Sequence, residues 1–225
     1  GISPDPTNFY NLTVNKPTGQ TSLGGSITIS NTLDMVSGNL NLNGQDITLT
    51  GNGTITGESA ASYIYSTGGG VVQKTLDLNT PSAANPGNIG ATITSSADLG
   101  STTIQRGHEV QDVNGQVSIL RYYDIAPSNN SGLGAPVRLD YFDHELNGIV
   151  ETDLVPFRFN GTEWDIYAVS ARDVSANWVE TDNVDAFSKW TLAPDCEEFT
   201  FYADADGDGY TTGATEVACV APTGY

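Results

Sequence analysis

Basic residues are scarce in this chain. Eight Lys and Arg stand against 27 Asp and Glu in 225 residues, a formal charge of −19. A field of that sign repels phosphate backbones and anionic headgroups, so nucleic acid is excluded as a partner. Histidine and cysteine are held to two each and methionine to one, which leaves few candidates for a nucleophile–base pair. No apolar run approaches the roughly 18–20 residues that span a bilayer, so membrane insertion is not expected. No basic stretch followed by an apolar one marks a signal peptide. Helical periodicity is missing too, and Ala, Glu, Lys and Leu are too few for a helical bundle, while 38% hydrophobic residues are too many for a disordered chain.

What is abundant is Asn, Thr, Ser and Gly, with 25 glycines. That style is extracellular, and the first residues, Gly1-Ile2-Ser3-Pro4-Asp5-Pro6, read as a cut from a longer protein. The charge is graded along the chain. Residues 1–75 carry 4 acids and 2 bases, residues 76–193 carry 16 and 6, and residues 194–225 carry 7 acids and no base. The grading suggests three segments, all of them β or loop.

In residues 1–75, short runs alternate with period two: Phe9–Val14, Ser26–Ser30, Gly38–Gly44, Asp46–Thr50 and Gly53–Gly57. Period two buries one face and wets the other. Gly and Asn punctuate each run, as turns with positive φ require. A β-solenoid and a sandwich meander both fit; short strands and small stacked aliphatics favour the solenoid. Asn39, Asn41 and Asn43 are expected on a solvated face, where they could form an outward ladder. Thr48/Thr50 and Thr54/Thr56 could form a flat ice- or glycan-facing array, but two irregular pairs read better as ordinary exposed strand threonines.

Residues 76–193 hold longer, more aromatic runs, among them Ser101–Arg106, Val117–Tyr123, Leu154–Phe159 and Phe187–Leu192. Seven such runs and a closing strand predict an immunoglobulin-like β-sandwich. Asn160-Gly161 between two aromatic runs predicts a hairpin. Arg121, Arg138 and Arg158 recur on strands and are expected to pair with Glu151, Asp153, Glu163 and Asp165 on the sheet faces. His144, between Asp143 and Glu145, could ligate a metal or act as a base. It has no partner motif at ligand spacing and reads as a solvated loop residue; His108 lies in Arg106-Gly107-His108-Glu109. Glu151, Asp153, Glu163 and Asp165 read as coincidence in an acidic domain rather than as a glycosidase pair. No enzyme activity is expected.

Residues 194–225 carry the one specific motif. Asp204, Asp206 and Asp208 stand at i, i+2 and i+4, with Gly209 directly after and the Tyr210 carbonyl next in line. Such spacing wraps carboxylates around one hard cation, Ca²⁺. Thr215 stands where an EF-hand would place its bidentate Glu, Glu216 falls one residue late, and strand-like Phe199–Tyr202 replaces the entering helix. A static Ca²⁺ site follows, with Asp204, Asp206, Asp208, Tyr210 and Glu216 as its candidate ligands. Cys196 and Cys219 bracket the loop and fit a disulfide in an oxidising space. Two thiols with no His nearby do not make a Zn²⁺ site.

The stretch Phe201–Tyr210, followed by Ala218–Tyr225, resembles the thrombospondin type 3-like calcium repeats of large secreted proteins of Bacteroidetes-type bacteria. Phe9–Asn15, Ser37–Gly44 and Asp185–Leu192 are similar to β-rich regions of the same proteins. A further Asp-rich stretch with another Cys usually follows in that family; here the chain stops, so the repeat looks truncated. The resemblance implies export by the type IX route, a cell-surface location and a structural or adhesive role, with an extracellular protein or glycan as partner. Self-association into filaments and a carbohydrate-binding role, with Tyr122, Tyr123, Trp164 and Trp178 stacking on sugar, are the rival expectations.

Overall fold

The computed structural model describes residues 7–195, 199–202 and 215–218. Among them every regular element is a strand or a single 3₁₀ turn. The strands are β1 (Thr7–Ser22), β2 (Ile27–Asn41), β3 (Ile47–Leu49), β4 (Thr54–Thr56), β5 (Ile64–Tyr65), β6 (Val71–Asn79), β7 (Ala91–Ile93), β8 (Asp98–His108), β9 (Asp112–Val113) and β10 (Gln116–Val117). They continue with β11 (Arg121–Pro127), β12 (Ala135–Asp140), β13 (Leu154–Phe159), β14 (Trp164–Ile166), β15 (Ala171–Asp173), β16 (Trp178–Val184), β17 (Lys189–Pro194), β18 (Phe199–Tyr202) and β19 (Thr215–Ala218).

The fold is all-β, and its first part is a β-solenoid-like coil of about three turns. β2 runs parallel to β1, and β3, β4 and β5 all run parallel to β2. The apolar alternation explains the stacking. Ile27 lies over Ile47, which lies over Val72; Phe9, Ile29 and Leu49 form a second column, and Leu12, Leu33 and Ile55 a third. Rung spacing near 4.8 Å leaves no room for a side chain where a corner passes over backbone. At Gly38, φ is +78° and a Cβ would come within 2.0 Å of the Lys16 carbonyl oxygen, so this corner demands glycine.

One corner asparagine differs from expectation. Asn41 is buried, and its side-chain oxygen accepts from the Asn43 and Thr67 amides at 2.9 and 3.1 Å. Asn43 donates to the Leu23 carbonyl at 3.2 Å. Asn41 thus replaces missing ladder bonds at the corner instead of facing solvent, while Asn43 stays exposed as expected. Ladders of that kind do occur between Asn11 and Asn31, and between Asn15 and Ser37.

β6 joins the two halves. It runs parallel to β3 as a solenoid rung and antiparallel to β8 on its other side. One eleven-stranded sheet therefore runs from β1 through β2, β3, β6, β8, β11, β17 and β13 to β14, with β4 and β5 beside β2. A four-stranded sheet, in the order β15-β16-β12-β7, shares the core with it. Ile104, Tyr123, Ile125, Trp190 and Leu192 from the large sheet and Ile93, Val137, Leu139 and Val179 from the small one are buried together. The Asn160-Gly161 hairpin forms as expected between β13 and β14, and the Asn160 side chain accepts the Thr162 and Glu163 amides.

Candidate functional site

Beside β6, where the solenoid meets the two-sheet part, lies a buried cluster of charge. Arg106, on β8, reaches back to Glu58 after β4, with Nη1 and Nη2 donating to the two carboxylate oxygens at 2.8 and 2.9 Å. The Ile64 amide also donates to Glu58. Burial alone would raise the Glu58 carboxyl, but Arg106 and Arg121 pull it below its ordinary value. Arg121, on β11, holds Glu145 in a two-pronged pair at 2.9 to 3.1 Å, and the Phe142 amide completes the Glu145 shell at 2.8 Å. Burial would make Arg121 lose its proton more readily; Glu145 and the Tyr123 hydroxyl outweigh it and keep the pKa raised. The Tyr123 hydroxyl, pushed up to about 12 by burial, donates to the Asp140 carbonyl at 2.7 Å.

Both histidines of the chain come to this cluster. Ligand atoms of His108, His144 and Glu145 all lie within 4.8 Å of one another. His108 Nε2 is 3.7 Å from Glu145 Oε1 and, though buried, makes no hydrogen bond. Tyr63, from the solenoid, stacks on His144 at 3.8 Å between ring centroids. Burial lowers the pKa of both imidazoles, against the pull of Glu145. His144 is exposed, as expected of a loop residue, but its approach to His108, 36 positions away, is not encoded in local spacing. Only the pairing of Arg121 with His108 across β11 and β8, beside the 3₁₀ turn Asp143–Glu145, brings them together.

A cavity of about 290 Å³ opens beside the cluster, lined by Glu58, Arg106, Arg121, Arg138, Asp140 and Trp178 among others. It holds three of the chain's eight basic residues, yet Glu58, Glu145 and Asp140 already balance them. It is therefore no anion site. A larger groove of about 460 Å³ at Asp124, Arg158, Asn160 and Lys189 is similarly settled: Arg158 donates to the Ala186 carbonyl and Asp165. Arg121, Arg138 and Arg158 do pair with carboxylates, but with Glu145, Asp140 and Asp165; of the four acids considered for a glycosidase, only Asp165 is among these partners.

Each of the aromatic residues named for sugar stacking has a neighbour in the fold. Tyr123 is buried, Lys189 sits 4.7 Å above the Tyr122 ring, and Arg138 lies 5.3 Å over Trp178. Trp164 packs on Phe159 at 5.4 Å.

Asp204, Asp206, Asp208, Tyr210, Cys196 and Cys219 lie outside the described residues, as does the Glu216 side chain. What is described is their frame. β18 and β19 pair antiparallel, Phe199 with Ala218 through Tyr202 with Thr215, so residues 203–214 connect the two strands of a hairpin. Comparison with family models, curated proteins and solved structures gives no match.

Proposed function

We propose that the chain is a non-catalytic, load-bearing segment of an extracellular surface protein. In this reading a short solenoid is fused to an immunoglobulin-like sandwich and followed by a Ca²⁺-stabilised spacer. The observation that carries it is the double role of β6, which leaves no linker between solenoid and sandwich. A hydrogen-bonded ladder without a hinge suits a part that transmits force, and the paired charges of the candidate site suit a joint rather than a reaction centre. Aspartates spaced for a hard cation, between two paired strands, suit a clamp that stiffens when Ca²⁺ binds. Single-molecule pulling tests the role. Residues 7–195 should extend in one step; separate low-force release of the solenoid would contradict it.

A second reading, self-association, is favoured by β1. Among the described residues it pairs on one side only, with β2, and an unshared strand edge invites another strand. Lys16 on this strand, donating to the Gln20 carbonyl, is the sort of residue that discourages such pairing. Light scattering decides: long regular polymers in Ca²⁺ support the filament, and a monomer at all concentrations removes it.

A further inference from the structure

We propose that His108, His144 and Glu145 form a site for one late first-row divalent cation, with Zn²⁺ as the fitting probe. This rests on the junction geometry and not on the proposed surface role. Two imidazoles and one carboxylate are a donor set that suits Zn²⁺ and its neighbours and leaves a fourth position open. The chain has two histidines in all, and both converge on one carboxylate.

Two features point to a ligand rather than to a packed core. The Nε2 atom of His108 is buried without any hydrogen-bond partner, although a neutral imidazole nitrogen in that place normally finds one. Glu145 is 1% exposed and is oriented by Arg121 and the Phe142 amide, the kind of outer support that fixes a ligating carboxylate.

Geometry allows the ion. Donors around a tetrahedral Zn²⁺ sit about 3.4 Å apart, from bonds of about 2.0–2.2 Å. Distances up to 4.8 Å must therefore close by roughly an ångström. That movement falls to His144, which is exposed and held only by ring stacking against Tyr63 and Phe142. Arg106 is matched by Glu58, but Glu145 is the counter-ion of Arg121, so binding requires Glu145 to be shared between Arg121 and the ion. Once bound, it would tie β8 to the turn Asp143–Glu145 beside the solenoid's Tyr63.

The experiment is a calorimetric titration of the full chain with Zn²⁺ in excess Ca²⁺, which occupies hard oxygen sites but not imidazole. The expected result is one Zn²⁺ per chain. His144→Ala, at an exposed position, should keep the fold and weaken binding about tenfold or more, since even loss of an outer-shell partner costs that much. His108→Gln should do the same, and Asp206→Ala should change nothing. Co²⁺ should add visible absorption bands that His144→Ala removes. Absence of binding, binding that survives His144→Ala, or binding lost only with Asp206→Ala overturns the site.

Discussion

At the scale of single residues, the buried charges at the junction are where substitution should tell most. Glu58 and Arg106 are 9% and 5% exposed at their side chains, so removing one partner strands the other in a dry place. Arg106→Met should cost about 3–5 kcal/mol in urea unfolding, and Arg106→Met with Glu58→Met should recover most of it, because the paired apolar residues leave no orphan charge. Acid should act on the same pair. The Glu58 carboxyl is held below its ordinary value near 4.5 by Arg106 and Arg121. Its contribution is therefore full above pH 4.5 and lost as pH falls through the lowered folded-state value. Stability measured against pH should drop on that limb, and Glu58→Gln should flatten it. Lys74 is a second inward charge. It stands in the column of Ile29 and Leu49, and its ammonium donates to the carbonyls of Gly51 and Gly53 at 3.1 and 2.6 Å. Lys74→Met should cost about 1–3 kcal/mol, the loss of buried hydrogen bonds outweighing the easier burial.

At the scale of elements, the rungs explain what a linear reading finds and what it misses. Ile27/Ile29 and Ile47/Leu49 alternate cleanly, so β2 and β3 are visible as strands in the sequence. β6 is not, because Lys74 occupies an inward position and breaks the apolar pattern that would have announced it. Nor is the length of β1 visible, since most of its residues are exposed and only Phe9, Leu12 and Val14 mark a face. The junction site is hidden for a different reason. His108 and His144 meet through strand pairing, and no local spacing encodes that. Corner geometry can be tested directly. Gly38→Ala should cost more than about 1 kcal/mol in chemical unfolding, because φ is positive and the Lys16 carbonyl blocks the new methyl. For the hairpin of β18 and β19, chelation should increase cleavage within residues 197–216 while the rest resists protease. Asp206→Ala should reproduce that sensitivity in Ca²⁺; unchanged cleavage would remove calcium from the account.

At the scale of the whole molecule, the central claim is mechanical unity. Parallel rungs and antiparallel strands meet in one sheet, and the ion pair of Glu58 with Arg106 and the stack of Tyr63 on His144 cross the same boundary. Solenoids without such a boundary tend to unfold rung by rung, because each turn touches only its neighbours. Tryptophan placement offers a way to see the difference: Trp164, Trp178 and Trp190 all lie beyond β8, and the solenoid has none. The most direct measurement is urea unfolding followed at once by tryptophan fluorescence and by hydrogen exchange at the amides of Ile29 and Ile47. One body predicts a single shared midpoint for both probes. Solenoid amides that open at lower urea, while tryptophan emission stays native, would contradict it.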